Sequence, residues 1–208
     1  MSMYKFECQA FDNGYKKIAG IDEVGRGPLA GPVVSAAVIL NSLSSKKHFY
    51  KDIKDSKILS SKQRDFLFGM IEKHSVSIGI GFSWEKEIDN INILQASLLS
   101  MARAVNKLSQ VPDFLLVDGK YTINSSISQK AIIKGDSQSI SIAAASIIAK
   151  VTRDTLMKEF HKKYPQYGFD KNKGYPTKAH KKAILKYGPC LIHRKTFKGV
   201  KEYILEQA

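Results

Sequence analysis

The chain has 208 residues and carries a net charge of +14, from 33 Lys and Arg against 19 Asp and Glu. At 43% hydrophobic and 25% charged residues it has the composition of a globular protein, which excludes a disordered chain. Its longest apolar runs, 33–40 and 142–149, stop at about eight residues, against the roughly 20 a membrane-spanning helix needs; two distant cysteines, Cys8 and Cys190, exclude a disulfide scaffold and a cysteine zinc site.

In chain order, 17–24 reads as a short strand entering a glycine-rich turn at 25–31. The β-branched stretch 32–40 predicts a second, buried strand, and the tight reversal between the two predicts a hairpin. Phe66, Leu67, Met70 and Ile71 have helical spacing and predict a helix over 60–74, capped by Ser60 or Ser61. Alternation over 75–83 predicts a third strand. An amphipathic helix is expected at 91–108, a fourth strand at 114–117 and a fifth at 129–134. From Ser137 a helical run with Ile140, Ala144, Ile147, Ile148 and Val151 continues towards Lys163. Pro, Gly and Asn break the chain over 164–176, and a basic helix is expected after them at 177–187. Strands in meander order with later helices predict an α/β fold, a mixed five-stranded sheet flanked by helices, rather than an alternating doubly wound sheet. Residues 1–163 are expected to form the core, with 164–208 a basic helical region packed on it as part of one domain.

The charge is uneven. From 150 to 208 there are 15 basic and 5 acidic residues, so +10 of the +14 lies in the last stretch. Such a surface attracts phosphates through Coulomb forces and counterion release, which points to a polyanion and leaves the chemistry open. The polar first 20 residues, with Lys16 and Lys17 where an apolar signal core would sit, make a reducing cytoplasm the expected compartment and a membrane role unexpected.

Against this basic background, the acids at strand ends stand out. Asp22 and Glu23 end the first strand, Asp118 ends the fourth, and Asp136 sits where the long helix begins. Singly, each has a bland reading: solvated loop charges, an Asp-Gly turn, a helix N-cap. Together they form an anionic pocket in a phosphate-attracting surface. Clustered carboxylates suit Mg²⁺ or Mn²⁺, and two such ions can drive phosphodiester hydrolysis. No G-x-S-x-G, H-E-x-x-H or Walker sequence offers another chemistry. The run Gly25 to Ala30 fits G-x-G-x-x-A, but the next element is a strand, not the helix a dinucleotide fingerprint must open. A non-catalytic nucleic-acid-binding module would explain the charge but not the carboxylates set within it.

The block I-A-G-I-D-E-V-G-R-G-P-L-A-G-P-V-V-S-A-A-V-I-L at 18–40 closely resembles the ribonuclease HII (type 2 ribonuclease H) family. The resemblance continues in order through D-S-K at 55–57, L-L-V-D-G at 115–119, K-G-D at 134–136, I-A-A-A-S-I-I-A-K-V-T-R-D at 142–154, N-K-G-Y-P-T-K-A-H at 172–180 and H-R-x-x-F at 193–197. It covers nearly the whole chain. It implies a ribonuclease H-like fold and a metal-dependent endonuclease that acts on RNA–DNA hybrids. It also implies incision 5′ of single ribonucleotides in duplex DNA, leaving 3′-hydroxyl and 5′-phosphate ends. Its acidic quartet falls on Asp22, Glu23, Asp118 and Asp136, with Mg²⁺ or Mn²⁺ as cofactor, two ions with substrate bound. Gly25, Arg26 and Gly27 match the loop that meets the ribose 2′-hydroxyl, Tyr175 the tyrosine at the RNA–DNA junction, and Lys57 a phosphate contact. Asp154 is expected to be structural, in an ion pair on its helix. Related type 3 enzymes usually lack the loop arginine and carry an extra N-terminal domain, so Arg26 favours type 2. A monomer is the default expectation.

Overall fold

The computed structural model describes residues 3–41, 48–53 and 59–205. Its centre is one five-stranded sheet in the order β3-β2-β1-β4-β5, from strands β1 (Ile18–Val24), β2 (Val33–Leu40), β3 (Ser75–Ser83), β4 (Phe114–Asp118) and β5 (Ser128–Ile132). β1, β2 and β3 form the expected antiparallel meander. β4 departs from it, joining the other side of β1 in parallel, with β5 parallel beyond it. Helix α3 (Glu85–Asn106) supplies the crossover a parallel strand needs. The link between β1 and β2 is a loop over 25–32 rather than a tight reversal.

Strand alternation divides the core. Ala19, Ile21, Ala37, Ile39, Leu115 and Val117 pack against Met101, Ala104 and Val105 of α3. On the opposite face, Ala36 and Val38 meet α4 (Ile140–Lys163) through Ala143, Ala144 and Ile147, with Leu67 and Ile71 of α2 (Ser61–His74) alongside. α4 lies almost on the sheet: a Cβ at Gly20 would fall 2.1 Å from the carbonyl carbon of Ser141, so only glycine lets the helix start there.

Two helix starts differ from expectation for identifiable reasons. α3 starts before 91 because Trp84 N–H donates to Glu87 Oε2 at 3.1 Å, nucleating an earlier turn. That turn breaks at Asn92, in left-handed backbone with φ 67°, whose Oδ1 accepts from Leu94 and Gln95 and restarts the helix. α4 begins at Ile140 rather than near Ser137, since Gly135–Ser137 is a tight 3-10 turn and Ser139 is the cap. Helix α1 (Lys5–Asp12) is not among the expected elements, and its Glu7 is buried at the start of α4, accepting from Ser139 and Ser141.

Beyond α4 come a 3-10 turn at Pro165–Tyr167, then α5 (Phe169–Asn172), α6 (Lys178–Tyr187) and α7 (Lys201–Leu205). Tyr167, Phe169, Ile184, Ile192 and Val200 from this segment bury Leu29 and Ala30 of the 25–32 loop against Met157 of α4. The C-terminal region thus grips the loop that leaves the acidic end of β1.

Candidate active site

The sheet brings the acids together. β1 and β4 run parallel with Ile21 opposite Val117, so Asp22 and Asp118 come next, side by side. Glu23 is one further along β1, and the three carboxylates each offer an oxygen within 4.8 Å of the others. Asp118 Oδ1 accepts from Gly135 N–H at 2.6 Å, which ties the turn holding Asp136 to β4. Asp136 is buried and adds its charge to Asp22, yet its oxygens lie outside the tight group of three.

Burial is costly for these charges. Asp22 is 6% exposed, and its pKa is raised well above the ordinary carboxylate value, first by desolvation and then by the charges of Glu23, Asp118 and Asp136. Glu23 N–H donates to Asp22 Oδ1 at 2.7 Å and opposes this only in part. Glu23 is also raised by burial, against the pull of Arg26, whose Nη1 reaches Glu23 Oε1 at 3.3 Å. Glu23 Oε2 is buried with no hydrogen-bond partner. Three gathered carboxylates, one with an orphaned oxygen, are the donor set a hard divalent cation takes, so these residues fit Mg²⁺ or Mn²⁺.

The 25–27 loop and Tyr175 meet. A Cβ built on Gly27 would stand 3.5 Å from Tyr175 Cε1, and Leu29 N–H donates to Gly174 O at 2.8 Å. Tyr175 is 41% exposed, a ring at the surface rather than in the core. Gly25 is required twice over: its φ is +98°, and a Cβ would overlap Arg153 Nε at 2.3 Å. Lys57 lies outside the described residues. Asp154 pairs with Lys150 at 2.8 Å one helical turn away, as expected of a structural acid. Lys173 turns its ammonium to the Asp170 carbonyl.

Two sets of residues around the site carry no sequence signal of their role. Arg153 and Arg194 are fully buried guanidiniums. Arg153 donates to the carbonyls of Pro32, Ala30 and Lys173, and Arg194 to those of Gly25, Arg26 and Gly31. Both stand in family-like motifs, R-D and H-R-x-x-F, but arginine is by default a surface residue, and nothing in the sequence turns them inward. The other set is a buried histidine pair. Cys190 N–H donates to His193 Nδ1 at 2.9 Å, which leaves the His193 ring proton on Nε2, 3.0 Å from His180 Nε2. His180 therefore carries its proton on Nδ1 and donates it to Tyr175 O at 2.9 Å. This one-way relay needs both rings neutral. Burial lowers both pKa values, that of His193 to about 4, with His180 adding to the effect there.

Residues 19–200 match the family model described as Ribonuclease HII. A Ribonuclease HII from Syntrophus aciditrophicus is 52% identical over 198 residues, 95% of this chain and 92% of the relative. The chain belongs to the ribonuclease HII family. It is accordingly a hydrolase, a metal-dependent endoribonuclease. Among solved structures, the ribonuclease H2 from Pyrococcus horikoshii OT3 superposes with a TM-score of 0.75 at 28% identity, covering 92% of this chain and 98% of the other. The Mn²⁺ complex of Bst-RNase HIII shares the fold with a TM-score of 0.70 at 18% identity, over 95% of this chain and 72% of that one. The mixed sheet flanked by helices is thus the fold of this ribonuclease H branch.

Proposed function

We propose that this ribonuclease HII cuts the RNA strand of RNA–DNA hybrids and incises duplex DNA on the 5′ side of a single embedded ribonucleotide, leaving 3′-hydroxyl and 5′-phosphate ends. The observation that carries the reading is the Asp22–Glu23–Asp118 group, with Asp22 buried, the other two half-buried and one Glu23 oxygen orphaned, set in a chain of net charge +14. Anionic groups at that depth repel a phosphate backbone, so a module built only to bind nucleic acid gains nothing from them.

Asp22, Glu23 and Asp118, with Asp136 beside them, would hold Mg²⁺ or Mn²⁺, two ions once substrate is bound. The chemistry supplied by ions held there is activation of water near neutral pH and stabilisation of charge on the leaving oxygen. Arg26 holds Glu23 in place through Oε1 and leaves Oε2 free to coordinate. The 25–27 loop, exposed at Arg26 and Gly27, meets the ribose 2′-hydroxyl, the group that distinguishes RNA from DNA at one site. Tyr175, against Gly27, stacks at the junction with the following deoxynucleotide. Exposed Lys178, Lys181 and Lys182 on α6 contact phosphates. The two free cysteines suit a reducing compartment such as the cytoplasm.

The test uses three duplexes of one sequence: an RNA–DNA hybrid, DNA with one ribonucleotide, and all-DNA, each with Mg²⁺, Mn²⁺ or excess EDTA. Cleavage of the first two, restored by either cation and abolished by EDTA, is expected. Cleavage of all-DNA, or full activity in chelator, would contradict the reading.

A further inference from the structure

Arg194 is 0% exposed, and no ion pair reaches it among the described residues. Its guanidinium serves backbone carbonyls of a single loop: Nη1 donates to Arg26 O at 2.9 Å, Nη2 to Gly25 O at 2.5 Å and Gly31 O at 2.7 Å, and Nε to Gly31 O at 3.0 Å. The carboxylates of Glu85 and Asp89 act on this charge only from beyond ion-pair contact, so burying the guanidinium is expensive, and an apolar side chain of similar volume would fill the space at lower cost. What the apolar side chain could not do is fix the direction of two successive peptide groups.

That direction has a consequence at the surface. In a trans peptide the N–H points opposite to the C=O of the same plane, and the described chain has no cis bond. With the Gly25 and Arg26 carbonyls turned in to Arg194, the amides of Arg26 and Gly27 are turned out. Both residues are exposed, and neither amide donates to a protein acceptor among the described residues. Two successive outward N–H groups beside a left-handed glycine form a concave donor pair. They lie next to Tyr175 and within a few residues of Glu23.

We propose that Arg194 is the positioning residue for ribose recognition: its planar fork, by holding both carbonyls, aims the Arg26 and Gly27 amides at the 2′-hydroxyl oxygen. Lysine cannot substitute, because a point charge has no fork to hold two carbonyls at once. Arg153 has a different task, clamping Ala30 and Pro32 to the Lys173 carbonyl and so holding the far end of the loop against the Tyr175 segment. The inference rests on the proposed function, in which the 25–27 loop meets the ribose.

The test reads binding in EDTA, where nothing is cut, on matched duplexes with and without one ribonucleotide. Two amide hydrogen bonds to the 2′-hydroxyl give the parent roughly a tenfold preference for the ribonucleotide duplex. Arg194→Lys should bring that ratio to within about twofold while all-DNA affinity holds, since backbone phosphate contacts carry the latter. Ile71→Val, in the separate cluster under α2, is the control for stability alone, and it should keep the preference at the same loss in thermal midpoint. Should Arg194→Lys not fold, NMR of the parent decides. The Arg26 and Gly27 amides should shift downfield and gain exchange protection with the ribonucleotide duplex, not with all-DNA. Unchanged amides in a parent that cuts at ribonucleotides, or an undiminished ratio in Arg194→Lys, would overturn the role of Arg194 and leave the proposed function standing. A parent that cuts no ribonucleotide-containing duplex would overturn the function itself.

Discussion

Asp22, Glu23 and Asp118 repel one another in a buried setting, so the free protein holds them at a cost to its stability, as functional sites commonly do. Asp118→Asn keeps the oxygen that accepts from Gly135 N–H and removes one of the three charges. Two effects of opposite sign are expected. Cleavage should fall by several orders of magnitude, while the metal-free thermal midpoint rises by about 2–4 °C for each kcal/mol of repulsion relieved. Mg²⁺ or Mn²⁺ should raise the midpoint of the parent more than that of the variant. A variant that cuts within tenfold of the parent would return Asp118 to a turn residue. Tyr175→Ala should lower cleavage at a lone ribonucleotide by roughly tenfold or more, the worth of one stacked base, with little change in midpoint because the ring is 41% exposed. Equal losses in activity and stability would make Tyr175 a packing residue. The acids were legible because carboxylates stood at strand ends in a basic chain, whereas Tyr175, a packing residue by its Gly and Pro neighbours alone, was singled out only through the family resemblance. Glu7, Arg153 and Arg194 were not, since a charged side chain that turns inward is chosen by partners far along the chain.

Among the elements, the strands were read most closely: 75–83 matches β3 residue for residue, because alternation against a core leaves one register. Helix ends were read less well wherever a side chain far from the apolar stripe did the capping, as Glu87 and Asn92 do in α3. β4 was placed in the chain but not in the sheet, since parallel pairing leaves no local turn to read. The link from α6 to the 193–197 segment carries a pH dependence. Between pH 6.5 and about 4 the unfolded histidine binds a proton that folded His193 does not, so falling pH removes stability at up to about 1.4 kcal/mol per unit. Above pH 6.5 both states are neutral and the contribution is whole. Asp22 and Glu23 act with the opposite sign, because their raised affinities let the folded state take protons sooner. NMR of the ring nitrogens separates the two: His193 should keep its proton on Nε2 and His180 on Nδ1 down to pH 6. Protonation of either ring above that pH would break the relay to Tyr175 and contradict the assignment.

At the scale of the molecule, charge and topology cooperate. The sheet gathers acid at one end of β1 and β4, and the C-terminal segment beyond α4, with half of the net positive charge, packs over the loop beside it. Charge alone pointed to a polyanion, and only the strand-end acids gave it chemistry. The basic face should set affinity without reading sequence or sugar. Lys181→Ala with Lys182→Ala should weaken binding to all three duplexes alike and reduce the slope of log affinity against log salt by about 2. A loss confined to the ribonucleotide duplex would show that α6 reads the sugar. Most direct of all is the position and end chemistry of the cut in a DNA duplex holding one ribonucleotide. The expected result is a single incision 5′ of the ribonucleotide with 3′-hydroxyl and 5′-phosphate ends, present with Mg²⁺ or Mn²⁺ and absent in EDTA or with Asp118→Asn. A cut on the 3′ side ending in a 2′,3′-cyclic phosphate would mean attack by the ribose hydroxyl rather than water, and would contradict hydrolysis at the acidic site.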